Sequence, residues 1–275
     1  MAKRKTKSKE DEIVSHISKQ LNSKPAQREL KKLGPREIDW SDSTKYSTDV
    51  FVPSLIAVAP ILKSHLNALF RGPLELETLL AKTLKEISDR GDKSSEKIIR
   101  KFAKKAGGLI GVSKELVSRF LVAQTITKVI EDFIPNSDVF KGQVVVNGSS
   151  LYPDIYLNDS SDLYSKLPVQ KRGGRAIDGP CRNGKGQPSK APNGLEIKTK
   201  RGTSIRVDCH APNPGLHLVI NWDTDDDGFI KIEDISLAYI RLSDYTECAR
   251  NAKATTVKYS FNADPFISLL DGKKK

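Results

Sequence analysis

Apolar residues recur at helical spacing up to about residue 134 and at alternate positions beyond about residue 144, which confines this chain to helices packed on a strand-rich second half. Leu55, Ile56, Ala59, Leu62, Leu66 and Leu69 fall three or four apart, as do Leu76, Leu79, Leu80, Leu84 and Ile87. With Gly72-Pro73 between the two sets, the spacing predicts two helices joined by a tight turn, from Pro53 to about Asp89. A third helix is expected over Ser95 to Lys105, ending at Gly107-Gly108. A fourth, capped by Ser113, should run from Lys114 to Ile134 ahead of Pro135. Residues 13 to about 50 mix short helical patterns with turn residues around Gly34-Pro35 and over Trp40 to Thr48.

The later half reads as strands at Val144 to Asn147, Tyr152 to Leu157, Gly194 to Lys200, Ser204 to Cys209, Leu216 to Trp222, Phe229 to Ile240 and Thr255 to Phe261. Pro265 to Leu270 reads as a short closing helix. The expected class is α+β with an α/β-type core, a mixed sheet flanked by helices. Residues 1–12 are low-complexity and charged and are expected to be mobile, 13–112 form a helical region, and 113–275 hold the strand-rich core.

Charge narrows the class of partner. The chain has 46 Lys+Arg against 34 Asp+Glu, a net charge of +12, which favours a polyanion. No amphipathic basic helix stands out as an anchor. The best apolar run, Phe51 to Leu62, holds Pro53 and Pro60 and stops at Lys63, short of the roughly 20 residues that span a bilayer. The Lys-rich N-terminus lacks the apolar stretch of a secretory signal. Cys181, Cys209 and Cys248 are widely spaced with no Cys-x-x-Cys pair, so the expectation is a reducing cytoplasm without a disulfide framework or structural zinc.

Two short motifs carry the chemistry. Pro153-Asp154 occurs once, at the head of an apolar strand, and Glu196-Ile197-Lys198 follows Asn193-Gly194 in another. Side chains alternate along a strand, so Glu196 and Lys198 leave the same face about 7 Å apart. With Asp154 on a neighbouring strand, they would make an oxygen-rich site suited to Mg²⁺, beside an ammonium able to hold a water. A rival Glu29-Leu30-Lys31 precedes the Pro-Asp and lies in a charged helical stretch. Between the motifs, residues 158–192 form a long basic Gly/Pro-rich loop with Lys166, Lys171, Arg172, Arg175, Arg182, Lys185 and Lys190. Its charge suits contacts to a phosphate backbone.

Pro153-Asp154, Glu196-Ile197-Lys198 and the order of helices before a strand-rich core resemble the PD-(D/E)XK nuclease superfamily, most closely type II restriction endonucleases. The likeness covers about Ile126 to Ile240 in pattern, with 41 residues between Asp154 and Glu196. It implies a restriction-endonuclease-like core in which Asp154, Glu196 and the Ile197 carbonyl ligate one or two Mg²⁺ ions. Lys198 would orient the attacking water. Members often add a carboxylate from a preceding helix; Glu131 is preferred here over Asp132. Lys171, Arg172, Arg175, Arg182, Lys185, Lys200 and Arg201 are the candidate contacts to DNA phosphates, and Arg241 and the Arg250-Asn251-Ala252-Lys253 stretch are further candidates for base reading. The resemblance implies a cytoplasmic, sequence-specific cutter of double-stranded DNA, a homodimer or tetramer, with a cognate methyltransferase protecting the same site. Two other readings stay open: a non-catalytic nucleic-acid-binding protein, and a superfamily nuclease of DNA repair or RNA processing.

Other signals weigh less. Asp223, Asp225, Asp227, Gly228 and Asp234 fit the text of an EF-hand calcium loop, but the flanks read as strands and Asp stands at the twelfth position. An acidic hairpin tip turning at Asp227-Gly228 is the simpler expectation. Cys209-His210 and His217 lack metal-ligand spacing and are expected to be packed or surface residues. No phosphate-binding Gly-x-x-x-x-Gly-Lys-Ser/Thr loop occurs.

Overall fold

The computed structural model describes residues 8–33, 39–70, 85, 89, 117–147, 152–158, 164–170, 181–183, 185–202, 206–209, 213–226, 229–247, 259–262 and 266–271. The expected helices over Leu76 to Ile87 and Ser95 to Lys105, the Ser113 cap, Asp227-Gly228 and residues 250–253 lie outside these, apart from Lys85. The fold is mixed α+β, with helices packed on a mostly antiparallel sheet.

Helix α1, Lys9–Leu21, starts at a capping box: the Ser8 hydroxyl accepts from the Asp11 N–H and the Asp11 carboxylate from the Ser8 N–H, both at 3.1 Å. It therefore takes in the end of the charged stretch expected to be mobile. Lys9 Nζ donates to the Leu269 and Leu270 carbonyls at 2.6 and 2.7 Å, tying this start to the other end of the chain. Helix α2, Lys24–Leu33, follows directly. Helix α3 is one element, Trp40–Leu69, where the sequence suggested turns up to Thr48 and a helix only from Pro53. Asp39 caps it by accepting the Ser41 N–H at 3.0 Å.

Two prolines inside α3 each remove a backbone bond, at a cost of about 3 kcal/mol in a helix interior. Pro53 is half-buried and Pro60 exposed, while Phe51, Val52, Leu55, Val58, Ala59, Leu62 and Leu66 make a continuous buried stripe on both sides of them. At roughly 1.5–3 kcal/mol per large buried side chain, the stripe outweighs the prolines. By length and composition α3 could cross a membrane, the measure on which the sequence had excluded one. The buried stripe, however, packs against α1 and the sheet. Helix α4 is described over Val117–Asn136, with Pro135 in its last turn.

The main sheet is ordered β1-β2-β5-β7-β8-β11, from Val144–Val146, Ile155–Leu157, Gly194–Arg201, Gly215–Thr224, Ile230–Ile240 and Ile267–Ser268. Only β5 and β7 run parallel. The closing helix expected at Pro265–Leu270 is instead the edge strand β11: Ile267 and Ser268 pair with Leu237 and Ser236. Six residues cannot complete two helical turns, and an open edge of β8 offers ladder bonds to a short apolar run. The expected loop 158–192 contains the hairpin β3–β4, Cys181–Arg182 with Pro188–Ser189. A small sheet orders β6-β10-β9, from Arg206–Cys209, Tyr259–Asn262 and Tyr245–Glu247.

One hydrophobic core joins the helices to one sheet face, through Leu195, Ile197, Leu216, Leu218, Ile220, Leu237 and Tyr239. On the opposite face Val219, Ala238 and Ile240 form a second, smaller core with Phe261 and Phe266. Where β8 bulges opposite Asn221 and Trp222, Asn67 of α3 accepts the Ile232 N–H at 2.7 Å.

Candidate active site

Asp154 stands immediately before β2, where β2 leaves β5. The two strands pair only through Ile155 with Leu195 and Tyr156 with Gly194. One step further along β5, the Asp154 carboxylate takes the place of a main-chain acceptor and receives the Ile197 N–H at 2.7 Å. Because a strand residue's N–H and C=O point to the same edge, the Ile197 carbonyl also faces the Asp154 side. Gly194 permits this approach: a Cβ there would run into the Pro153 ring and come within 2.6 Å of the Ile155 carbonyl oxygen.

Glu196 and Lys198 project from the same face of β5, as period-two spacing requires, and the Lys198 ammonium binds Glu196 Oε1. Glu196 is only 7% exposed, and its Oε2 is buried with no hydrogen-bond partner. Burial pushes the Asp154 carboxyl well above the ordinary range, and the nearby Glu196 charge pushes it further; Lys198 and the Ile197 N–H act the other way, and Glu131 adds a smaller upward push. These influences place all four ionisable groups in one electrostatic neighbourhood. Glu131, on α4, is 4% exposed, with Lys128 Nζ 3.9 Å away. Asp132 is exposed and pairs with Lys128 at 3.0 Å, outside the cluster. Of the two helix-end carboxylates, Glu131 is the buried one and the one whose charge reaches Asp154.

This donor set suits a hard cation. Glu196 Oε2 is an orphaned buried acceptor, Asp154 contributes a second carboxylate, and the Ile197 carbonyl is aimed to the same side. Among the described residues no group of three or more His, Cys, Asp and Glu side chains is gathered as a metal cluster. An ion here would depend on Asp154, Glu196 and a carbonyl, completing its shell with water and substrate oxygens, as Mg²⁺ commonly does.

The structure also gathers residues that sequence spacing left aside. His217 pairs in register with Glu196 on the neighbouring parallel strand, so the two side chains share a face. It is fully buried; its Nδ1 lies 2.9 Å from the Gly215 carbonyl, and its ring lies against Tyr152 and Phe261 at 6.2 and 5.3 Å. Burial lowers its pKa to about 3, so it is neutral at ordinary pH. The Tyr152 hydroxyl donates to the Pro214 carbonyl at 2.6 Å; at Gly215, with φ of +152°, a Cβ would strike that hydroxyl. Only the pairing register connects His217 to Glu196, and no motif carries it.

The remaining candidates scatter. Lys200 shares the Glu196/Lys198 face by strand alternation. Arg201 lies on the other face, its Nε 3.2 Å from Asp223 Oδ1 and its guanidinium 5.5 Å from the Trp222 ring centroid. Arg182 donates through Nε to the Leu167 carbonyl at 2.9 Å, and Lys185 is exposed on the β3–β4 turn. Lys171, Arg172 and Arg175 lie outside the described residues. Arg241 is bound to Asp244 by several contacts of 2.6–3.1 Å. In the acidic run, Asp223 is held by Arg201, and Asp234 is buried, accepting the Ser268 hydroxyl at 2.7 Å and that of Ser236. Strands β7 and β8 flank this run where an EF-hand needs helices.

No protein-family model, curated protein or solved structure matches the chain.

Proposed function

We propose that the protein is a Mg²⁺-dependent endonuclease that hydrolyses phosphodiester bonds in double-stranded DNA at a defined sequence, built on a restriction-endonuclease-like core. The observation that carries this reading is the convergence of Asp154, Glu196 and Lys198 where β2 parts from β5, within electrostatic reach of Glu131. The net charge of +12 supports a polyanionic substrate.

Mg²⁺ bound at Asp154, Glu196 and the Ile197 carbonyl would make a bound water more acidic and offset charge developing on the phosphate. Asp154 is fixed for this by the Ile197 N–H, which holds one carboxylate oxygen and leaves the other for a ligand. Glu196 keeps a buried Oε2 without a hydrogen-bond partner, while Oε1 holds Lys198. Lys198 orients the attacking water and donates to a phosphate oxygen, where a fixed positive charge stabilises the transition state more than the ground state. Glu131 raises the negative potential that draws a cation in.

In this reading the protein works in the cytoplasm as a homodimer or tetramer, one site per strand of a palindromic target, with a methyltransferase protecting the same sequence. The test is incubation with phage DNA and millimolar Mg²⁺ beside Asp154→Ala. The parent should give discrete fragments and the variant at least about a thousandfold slower cutting. Intact DNA from both, with binding retained, would replace the nuclease with a non-catalytic DNA-binding protein. Cutting at structures instead of fixed sequences would point to a repair or RNA-processing enzyme.

A further inference from the structure

We propose that Asn147 is a positioning residue that fastens the β3–β4 hairpin to the peptide carrying Asp154, so that a nucleic-acid backbone held by the hairpin sets the carboxylate in place. Asn147 is 1% exposed and follows β1. Its Nδ2 donates to the Pro153 carbonyl at 2.9 Å and to the Pro188 carbonyl of β4 at 2.8 Å. Its main-chain N–H donates to the Asp154 carbonyl at 2.8 Å, and its own carbonyl accepts from Gln187 Nε2 at 3.3 Å. One side chain therefore spans the hairpin and the peptide bond before Asp154.

Hydrogen bonds brace the described residues of the hairpin. Asn183 Oδ1 accepts the Lys185 and Gln187 N–H groups at 2.9 Å, Asn183 Nδ2 donates to Gln187 Oε1 at 2.8 Å, and Arg182 exchanges main-chain bonds with Pro168 and Gln170. Lys185 stands exposed on its turn, where a phosphate can reach it. Asn147 Oδ1, meanwhile, is buried with no hydrogen-bond partner. An amide kept with an orphaned oxygen is held for its two N–H bonds, since an apolar residue would fill the space without that cost. Residues behind metal ligands typically alter affinity or activity 10–100-fold. The substrate in this inference rests on the nuclease reading; the mechanical link does not.

The Ile197 amide reports the link, because its N–H is bound by Asp154. Hydrogen exchange would be followed at Ile197 and, as a reference, at Leu218 in the helix-covered core, for the parent and Asn147→Leu, with and without a duplex oligonucleotide in the absence of metal. Exchange at Ile197 should quicken about tenfold or more relative to Leu218 in the variant. The extra protection that DNA gives Ile197 in the parent should disappear. Equal acceleration at both amides, as a merely structural role would give, overturns the inference, as does an unchanged ratio. If Asn147→Leu does not fold, Gln187→Ala, which loosens the hairpin from the other side, is judged by the same ratio. Absence of cleavage by the parent would sink the nuclease reading while this ratio still decides the positioning role.

Discussion

Strands β5, β7 and β8 present two faces made from alternate residues of the same segments. Toward the helices they place Leu195, Ile197, Leu216, Leu218, Ile220 and Leu237, all apolar and buried. Away from them they place Glu196, Lys198, His217, Asn221, Asp234 and Ser236, five of these buried as well, beside the smaller core of Val219, Ala238 and Ile240. The first face stabilises the fold through area removed from water, at roughly 25 cal/mol per Å². The second holds carboxylates, a neutral histidine and unpartnered oxygens, each costly to bury. Ile197 links the two directly: its side chain lies in the helix-covered core while its N–H fixes Asp154. Packing on one face supplies the rigidity that the polar face needs.

Two substitutions would break this division if it is wrong. Glu196→Gln keeps the shape and a partner for Lys198 but removes a charge that disfavours ionised Asp154. Cleavage should fall about a thousandfold or more, roughly 4 kcal/mol in the barrier, while the melting temperature holds or rises. Single-turnover cleavage together with thermal denaturation checks both halves; a large loss of stability would mean that Glu196 is a structural ion-pair member. On the other face Leu218→Ala should cost about 2–5 kcal/mol in denaturant unfolding and leave the rate per folded molecule unchanged. A rate loss matching the stability loss would deny that the faces are separable.

Local spacing made the polar face partly legible from sequence. A period of two is sufficient to put Glu196 and Lys198 together, and a Pro-Asp at a strand start brought Asp154 beside them. What escaped depended on other elements. His217 required the β5–β7 register, and the single helix through Pro53 and Pro60 required the partners of its buried stripe. The strand at Ile267–Ser268 required the free edge of β8. Arg201 followed the motif closely enough to be counted as a phosphate contact, yet alternation puts it on the opposite face, beside the Trp222 ring.

Acid should separate the faces next, by a few kcal/mol. His217 has a folded pKa of about 3 against the ordinary imidazole value of 6.5, so the unfolded chain binds a proton that the folded chain refuses. Its contribution to stability is present above pH 6.5 and is lost as pH falls toward about 3. Asp154 has the opposite sign, because its raised folded pKa makes its contribution decline as pH rises through that value. His217→Asn, which can keep the donor to Gly215, should flatten the acid limb measured by urea unfolding at a series of pH values. An unchanged limb would place the acid-sensitive group elsewhere.

The smallest and sharpest contrast lies in adjacent residues. Lys200 projects with Glu196 and Lys198, while Arg201 points away and is engaged by Asp223, by Thr224 Oγ1 at 3.2 Å and by the Trp222 ring. The Asp223 partner is 42% exposed, so water screens the ion pair and the arrangement contributes only about 1 kcal/mol or less. Arg201→Ala should therefore lower stability slightly and leave DNA affinity unchanged. Lys200→Ala should reduce the slope of log K against log salt by about one, the signature of one lost phosphate contact. Binding titrations at several salt concentrations decide between them, and a reduced slope for Arg201→Ala instead would show that both faces at this end of β5 meet the substrate.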